Sequence, residues 1–380
     1  MSGPLEGARV VEIMGLGPGP FCGMVLADLG AQVLRVERAD VARAVDHSHR
    51  ATNAMYRSKR AIGIDLKTRE GVDAFLRIAD GADALIDVFR PGVAERLGIG
   101  PDVVCTRNPR LVYGRLTGWG QDGPLAPAAG HDIDYIAVAG ALEPLGRAGA
   151  PPTPPINVLG DFAGGGMLMA LGIAAALFER ERSGLGQVVD AAMVDGAALM
   201  LTPFYAARAS GFWGARGTNL LDTGAPFYEV YECADGRWLA VGALEPQFYA
   251  ALLDVLGLTG VDLPDRDDHA NWPALKERFA ALFLARARDE WCALADGRDA
   301  CVAPVLEPGE APDHPHNRAR GTFLELDGVP QPAPAPRFSR TPTAAPTAPE
   351  HPGAHTAAAL TDWGFGADEV DTLVRTGAVV

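Results

Sequence analysis

The sequence has few cysteines, a shortage of basic residues and no apolar run long enough to cross a bilayer, and each shortage excludes a class of protein. Its five cysteines are scattered without a Cys-x-x-Cys pair, so neither a zinc site nor a disulfide scaffold is indicated. The formal net charge of −15 argues against nucleic acid as a partner, because a phosphate backbone needs a basic face. We expect reduced thiols in a cytoplasmic protein.

The apolar segments give no sign of export or membrane insertion. The first residues lack the basic and apolar regions of a signal peptide. The apolar residues 166–178 fall short of the roughly 20 that a membrane span needs, and they predict a buried helix. With 48% hydrophobic residues, the 380-residue chain can bury one large core, or a large and a smaller one.

Short β-rich runs alternate with helical stretches over the first two hundred residues. The predicted strands are residues 8–13, 32–36, 61–64, 84–88, 111–115 and 187–190, and the predicted helices are 21–29, 69–79, 162–182 and 194–207. This alternation predicts parallel strands joined by helical crossovers. A doubly wound α/β domain follows, with ligands at the carboxyl ends of its strands.

A second pattern begins beyond this region. A β-hairpin is predicted at residues 228–241, followed by helices at 247–256 and 272–286, whereas the Pro-rich residues 330–352 predict an extended strap. The predicted domains are a large Rossmann-like domain at 1–186, a linker helix and loop at 187–224, a small α+β domain at 225–320, and a return strap with a C-terminal helix at 321–380.

Two groups able to carry a proton lie about thirty residues apart. Asp161 stands in Gly160-Asp161-Phe162 at the start of the apolar helix, on glycines that leave room for a ligand, and His131 stands in a Gly/Pro-rich loop. Two such groups facing one carbon would make a racemase. Amides at the start of the helix after Asp161 would stabilise the developing oxyanion, and burial would raise the pKa of its carboxyl.

Each of these residues also has a simpler explanation. Asp161 and Asp132 are of the type preferred as helix N-caps, and a loop histidine such as His131 is more often structural than catalytic. Glu245 could be an acid at a helix start and nothing more. Both explanations stay open from the residues alone, because capping and proton transfer are compatible.

Basic residues cluster where loops should leave the strands: Arg38, Arg57, Lys59, Arg60, Lys67, Arg90 and Arg96. Each alone would be solvated surface charge, but together on an acidic protein they indicate a site for a polyphosphorylated small ligand. The run Gly15-Leu16-Gly17-Pro18-Gly19-Pro20 argues against NAD or FAD, because Pro20 replaces the last glycine of the fingerprint and two prolines remove amide donors.

Eight short motifs, in order between Pro4 and about Thr341, carry a family resemblance. They are Pro18-Gly19-Pro20, Asp28-Leu29-Gly30-Ala31, Asp65-Leu66-Lys67, Arg90-Pro91-Gly92-Val93, Thr117-Gly118-Trp119-Gly120, Gly130-His131-Asp132-Ile133-Asp134-Tyr135, Gly160-Asp161-Phe162 and Gly186-Gln187-Val188-Val189-Asp190. With them the sequence resembles the class III (family III) CoA-transferase superfamily. His131 and Glu245-Pro246-Gln247-Phe248-Tyr249 resemble its α-methylacyl-CoA racemase branch.

The resemblance implies an interlocked homodimer whose active site lies between the large domain of one protomer and the small domain of the other. His131 and Asp161 match the two proton-transfer residues of the branch, and Glu245 matches the carboxylate that supports the histidine. The positions that match the family's CoA-binding residues are Arg38, Ile64, Asp65, Leu66, Lys67, Val88, Phe89, Arg90, Pro91, Gly92, Arg96, Gly130 and Tyr135.

The implied activity is the interconversion of (2R)- and (2S)-2-methylacyl-CoA thioesters by 1,1-proton transfer through an enolate. For such an activity we expect no metal, and we expect no separate cofactor because CoA is part of the substrate. The first alternative is a CoA-transferase in which Asp161 is the nucleophile, and the second is a non-catalytic CoA-binding scaffold. The Ala/Pro-rich tail and the methionine-free residues 201–205 depart from the pattern of the branch, so the resemblance does not specify which acyl chain the substrate carries.

Overall fold

The computed structural model describes residues 3–44, 53–351 and 353–380, which form two compact units. The larger unit takes Met1–Ala139, Ile156–Met200 and Gly321–Val380, and the smaller takes Gly140–Pro155 and Leu201–Arg320.

Six parallel strands form the sheet of the larger unit in the order β3-β2-β1-β4-β5-β6. They are β1 (Arg9–Ile13), β2 (Gln32–Arg38), β3 (Lys59–Ile64), β4 (Ala84–Asp87), β5 (Val112–Thr117) and β6 (Val188–Ala192). Runs of buried aliphatic residues explain the parallel pairing, since such sheets are covered on both faces. The prediction of a parallel α/β domain is confirmed. The strand order reverses between β1 and β4, where doubly wound folds bind ligands.

Helices cover both faces of this sheet. They are α1 (Pro18–Asp28), α2 (Ala39–Ala42), α3 (Arg69–Asp80), α4 (Val93–Arg96), α5 (Pro101–Arg107), α6 (Asp132–Val138), a π-helix (Val158–Met167) that runs into α7 (Leu168–Ser183), and α8 (Met193–Met200). The Thr68 hydroxyl begins α3 by accepting the Gly71 amide at 3.1 Å. Phe75 and Ile78 fill the core on one face, and Leu26 and Ile173 fill it on the other.

The apolar helix is longer and less buried than expected. The π-helix and α7 together run over Val158–Ser183, 26 residues long and apolar enough by composition to cross a membrane. Residues 162–182, predicted as one helix, are helical, and the expectation that the apolar residues 166–178 are buried holds for only part of them. Met169 and Ile173 are fully buried against the sheet, which is typical of a core helix, whereas Leu171 is 64% and Phe178 is 69% exposed.

The smaller unit is built on an antiparallel sheet in the order β7-β8-β9. Its elements are α9 (Thr202–Ala209), β7 (Tyr228–Glu232), β8 (Trp238–Gly242), α10 (Pro246–Val255), α11 (Trp272–Phe283), α12 (Arg288–Ala295), β9 (Val302–Pro304) and α13 (Pro315–Arg320). Phe279 and Phe283 are its largest fully buried side chains with Phe227. The helix predicted at 194–207 is two helices, α8 and α9, because Pro203 fits only the first turn of a helix.

The last sixty residues belong to the larger unit. They form β10 (Phe323–Leu326), β11 (Val329–Pro332), α14 (Thr356–Asp362) and α15 (Ala367–Thr376). Elsewhere, the described residues include short 3₁₀ turns at Ala54–Tyr56, His269–Asn271 and Ala311–Asp313. Leu360 and Phe365 join the same core as Phe75. Residues 333–351 form no helix or strand, as their composition predicts.

The unit boundaries differ from the predicted limits at residues 186 and 224. Residues 188–200 supply β6 and α8 to the larger unit, because β6 pairs with β5 and completes the sheet. The smaller unit also takes Gly140–Pro155, which the sequence placed in the large domain.

Candidate active site

Loops that leave the carboxyl ends of β1, β4 and β5 surround a cavity of about 330 Å³ in the larger unit. The carboxyl ends of parallel strands meet at one edge of a sheet, so segments distant in sequence converge there. His131 and Asp161 both line this inner cavity, with Leu16, Trp119 and Tyr135. The structure therefore brings together the two residues that the sequence singled out as proton carriers.

The backbone of His131 is fixed while its imidazole stays accessible. His131 is the N-cap residue of α6, and its amide donates to Oδ2 of Asp134 at 2.9 Å. The Asp134 amide donates in return to the His131 carbonyl at 2.9 Å. These bonds use the peptide groups of His131, so the exposed side chain is left for a ligand in the cavity.

Asp161 is not a helix cap. The N-cap residue of the π-helix is Asn157, which makes Asp161 its fourth residue, and the N-cap explanation is wrong because the helix begins earlier than the sequence indicated. The Asn157 side-chain amide donates to Oδ2 of Asp161 at 3.0 Å. The Asp161 amide donates to Oδ1 of Asp132 at 2.7 Å. π-Helical turns are rare and occur frequently at functional sites.

Partial burial raises the pKa of Asp161, because the charged carboxylate loses hydration. The hydrogen bond from Asn157 opposes this rise, the negative charge of Asp132 adds to it, and His131 lowers the pKa by attraction. The result is a pKa above the ordinary value for aspartate. A carboxyl of this kind keeps its proton to a higher pH and can act as an acid as well as a base.

Asp132 is a second carboxylate at the site, which the sequence suggested only as a cap. It is 5% exposed, and among the described residues its Oδ2 has no hydrogen-bond partner. A methyl group added at Gly160 would lie 2.5 Å from Oδ1 of Asp132, so glycine alone allows this approach. Asn157 was also missed, although a spacing of four residues places an amide and a carboxylate on one face of a helix.

The amides that follow Asp161 do not match the oxyanion donors expected from the sequence. Because the helix starts at Val158, these amides lie inside it and bond to carbonyls of the preceding turn. The unpaired amides of a helix are those of its first turn. Near His131 these belong to Asp132 and Ile133, the first two residues of α6.

An outer cavity of about 570 Å³ adjoins the inner one, and Gly15 and Leu16 line both. The predicted CoA-binding residues divide between them. Arg38, Ile64, Asp65, Leu66, Lys67 and Phe89 line the outer cavity, whereas Val88, Arg90, Pro91, Gly130 and Tyr135 line the inner one. Gly92 and Arg96 line neither cavity. Arg38 is exposed and pairs with Asp40 at 2.5 Å.

Two members of the basic cluster are not surface residues. Lys59 is fully buried and pairs with Glu12 at 2.5 Å, and Arg57 is buried and pairs with Asp28 at 2.5 Å. Their assignment to a polyphosphate site is wrong, because each cation is neutralised inside the unit. Lys67 and Arg90 remain at the cavities.

Glu245 belongs to the smaller unit, whereas His131 and Asp161 belong to the larger. It is the N-cap residue of α10, but its side chain makes no capping hydrogen bond and is exposed. The explanation of Glu245 as a helix-start acid therefore accounts for its position and not for its carboxylate.

Comparison with known proteins identifies the family. Residues 5–356 match the family model described as CoA-transferase family III. The mouse (Mus musculus) protein named alpha-methylacyl-CoA racemase is 48% identical over 371 residues, which cover 96% of this chain and 95% of the mouse protein. The human (Homo sapiens) protein of the same name is 45% identical over 380 residues, which cover 97% of this chain and 96% of the human protein.

A solved structure shows the same fold. The crystal structure of a CAIB/BAIF family protein from Brucella suis has a TM-score of 0.80 and 26% identity, over 96% of this chain and all of the Brucella chain. The chain belongs to CoA-transferase family III.

Proposed function

We propose that the protein is an isomerase that interconverts the (2R) and (2S) forms of 2-methylacyl-CoA thioesters. Its similarity to the two mammalian proteins named alpha-methylacyl-CoA racemase extends over nearly the whole chain. The observation that carries the proposal is the presence of His131 and Asp161 in one cavity, because two proton carriers in one cavity can act on opposite faces of a carbon.

The reaction begins at the α-carbon of the thioester. Loss of the α-proton leaves an anion that spreads onto the carbonyl oxygen, and this charge needs preorganised donors. Asp132 and Ile133 directly follow His131, and their amides, in the first turn of α6, have no carbonyl partner within that helix. We expect the thioester carbonyl to accept from this turn.

His131 and Asp161 exchange roles with the hand of the substrate. For one enantiomer the imidazole removes the proton and the carboxylic acid returns one to the opposite face, and for the other enantiomer the roles reverse. The raised pKa of Asp161 suits this exchange, since the acid form must be present for one direction and the base form for the other. Each turnover leaves the pair in the state needed for the reverse reaction.

The two adjoining cavities suit the two parts of a CoA ester. The thioester would lie in the inner cavity beside His131, and the nucleotide would lie in the outer cavity beside Arg38 and Lys67. Arginine and lysine side chains favour phosphate groups.

We further propose a homodimer in which Glu245 of one protomer supports His131 of its partner. Leu171, Phe178 and Phe212 are among the large apolar side chains that are more than half exposed, at 64%, 69% and 85%. Leu171 and Phe178 are seven residues apart on α7 and so lie on one side of that helix, and an exposed apolar stripe is typical of a surface that another chain covers. A carboxylate next to the imidazole would orient it and favour its protonated form. Light scattering should give twice the mass of one chain.

Solvent deuterium tests the racemase directly. One enantiomer of a 2-methylacyl-CoA is incubated with the enzyme in D₂O, and chiral analysis is combined with mass spectrometry. We expect a mixture of both enantiomers, each with one deuteron at the α-carbon. Recovery of the starting enantiomer with its original hydrogen would exclude the racemase.

A CoA-transferase is the second candidate, because the family name covers that activity. It requires Asp161 as a nucleophile that forms an acyl anhydride. Hydroxylamine would then trap an acyl group on Asp161, and CoA would pass to a second carboxylic acid. His131 and Asp161 line the same cavity, which favours proton transfer. A transferase with Asp161 as its nucleophile does not need a second proton carrier.

A further inference from the structure

A buried carboxylate lies directly beneath the loop that separates the two cavities. Asp87 is the last residue of β4 and is 1% exposed. Its Oδ1 accepts the amide of Phe89 at 2.8 Å, an Asx turn that fixes the first bend of residues 88–92. The Tyr113 hydroxyl lies 3.2 Å from the other oxygen, Oδ2.

The loop over Asp87 faces both parts of the site. Val88, Arg90 and Pro91 line the inner cavity, and Phe89 between them lines the outer one. A rotation of the peptide between Val88 and Phe89 would therefore move walls of both cavities. The amide that Asp87 accepts belongs to this peptide.

The loop is also held from below and from its far end. Methyl groups added at Gly15 and Gly19 would lie 2.4 and 2.5 Å from the Val88 side chain, so the loop rests directly on the segment after β1. Beyond the C-terminal end of this loop, Arg115 on β5 forms an ion pair with Glu95 on α4 at 2.9 Å. The same guanidinium lies 4.0 Å from Asp87, opposite it in the sheet register.

We propose that Asp87 is a positioning residue for CoA-ester binding, acting through the Phe89 amide and through Arg115 to hold residues 88–92 in the shape that binds the ester. It touches neither the thioester carbon nor the groups that move protons. The inference rests on the proposed function for the identity of the ligand. Its consequence is an effect on affinity and KM with little effect on kcat.

The protonation state of Asp87 should appear in binding. Burial raises the pKa of Asp87 to about 6, against the opposing effects of the Phe89 amide, Arg115 and Tyr113, while Glu95 adds to the rise. Above this pH the carboxylate is a strong acceptor, and below it the acid is a weaker one and no longer attracts Arg115. Affinity for CoA should therefore fall as the pH is lowered from 7.5 to 5.

The experiment measures free CoA binding by calorimetry, and KM and kcat with a 2-methylacyl-CoA, for wild type, Asp87→Ala and Asp87→Asn. We expect Kd and KM to rise about tenfold in Asp87→Ala, the size of one lost hydrogen bond to a charged group, with kcat within about twofold. Asp87→Asn keeps an acceptor and should show a smaller rise, and its Kd should change less between pH 5 and 7.5 than that of wild type, because only ionisation of the CoA phosphate and of groups other than Asp87 remains. Asp80→Asn, at an exposed ion pair with Arg107, is the matched control.

The outcomes are distinct. Folded variants with unchanged Kd and only a lower melting temperature would assign Asp87 to stability alone and overturn the proposal. A loss of kcat without a change in Kd would overturn it as well. If Asp87→Ala does not fold, the pH dependence of Kd in Asp87→Asn decides, and a slope equal to that of wild type contradicts the proposal. Because free CoA is the probe, these results stand even if no racemisation is found.

Discussion

Two pairs of carboxylates in the larger unit differ in what surrounds them. Around α1, Glu12 pairs with Lys59 and Asp28 pairs with Arg57, each cation meeting its carboxylate inside the unit. At the carboxyl edge of the sheet, Asp132 and Asp161 are neighbours, and within the described residues neither forms an ion pair with a lysine or arginine. Ion pairs hold segments of the chain together. A carboxyl without a cationic partner, beside a second carboxylate, has a raised pKa and keeps its proton to a higher pH.

The sharpest way to break this comparison is Asp161→Asn. The amide keeps the size and the acceptor oxygen but cannot carry a proton, so we expect racemisation to fall about 10³-fold. Inversion measured by chiral chromatography checks this. Asp262→Asn, a change at an exposed aspartate, should leave the rate unchanged.

The same variant tests the cost of the unpaired carboxyl. Since the folded pKa of Asp161 is raised, ionisation destabilises the fold, and this penalty appears as the pH rises from the unfolded value of 3.8 through the folded pKa. Asp161→Asn should therefore melt above wild type at pH 7.5. The difference should close as the pH approaches 3.8. A variant that melts below wild type at pH 7.5 would assign Asp161 a structural role.

The paired side of the comparison predicts the opposite result. Lys59→Met leaves Glu12 buried without its cation, and we expect the free energy of unfolding to fall by roughly 3–5 kcal/mol. Urea denaturation measures the loss, and kcat per folded molecule should stay near the wild-type value. The double variant Glu12→Leu/Lys59→Met should recover much of the stability. A single variant as stable as wild type would show that the ion pair is dispensable.

Asp132→Asn measures how much the negative charge of Asp132 contributes to the raised pKa of Asp161. Asparagine keeps an acceptor for the Asp161 amide and removes the charge, so the pKa of Asp161 should fall. We expect kcat to drop about fivefold, a difference of the order of one charged against one neutral hydrogen bond. The acid limb of the pH–rate profile should move to lower pH. An unmoved limb would contradict the electrostatic role of Asp132.

Asn157→Ala should give the smallest effect and the opposite direction. It removes the amide that donates to Oδ2 of Asp161, and the pKa of that carboxyl should rise further. We expect a change in kcat of about threefold and a shift of the acid limb to higher pH. Shifts of the same sign in Asn157→Ala and Asp132→Asn would contradict the assignment of opposed effects.

The fold could be predicted where a segment carries its own periodicity. Strands such as β1 and β2 show apolar runs, and the hairpin of β7 and β8 shows its turn, so their positions follow from local sequence. Short α6 was missed, because about two turns of helix beside glycines and prolines have little periodic signal. Arg57 and Lys59, which the sequence assigned to a polyphosphate site, are buried, and burial of a charge depends on a partner that is distant in the sequence.

The site could be predicted in its residue types and not in its geometry. His131 and Asp161 stand in recognisable motifs, and the cavity contains both. The bond from the Asp161 amide to Asp132 joins residues 29 positions apart through the close approach at Gly160, which no local pattern encodes. The start of the π-helix at Val158 likewise depends on packing. This start determines which backbone amides near Asp161 lack a carbonyl partner within the helix.

Enantiomer-specific exchange in single variants tests most directly whether two groups face one carbon from opposite sides. His131→Ala and Asp161→Ala are each incubated in D₂O with pure (2R)- or (2S)-2-methylacyl-CoA. We predict that each variant exchanges the α-hydrogen of one enantiomer without inverting it, and that the two variants retain opposite enantiomers. Exchange of both enantiomers by either variant would contradict the account.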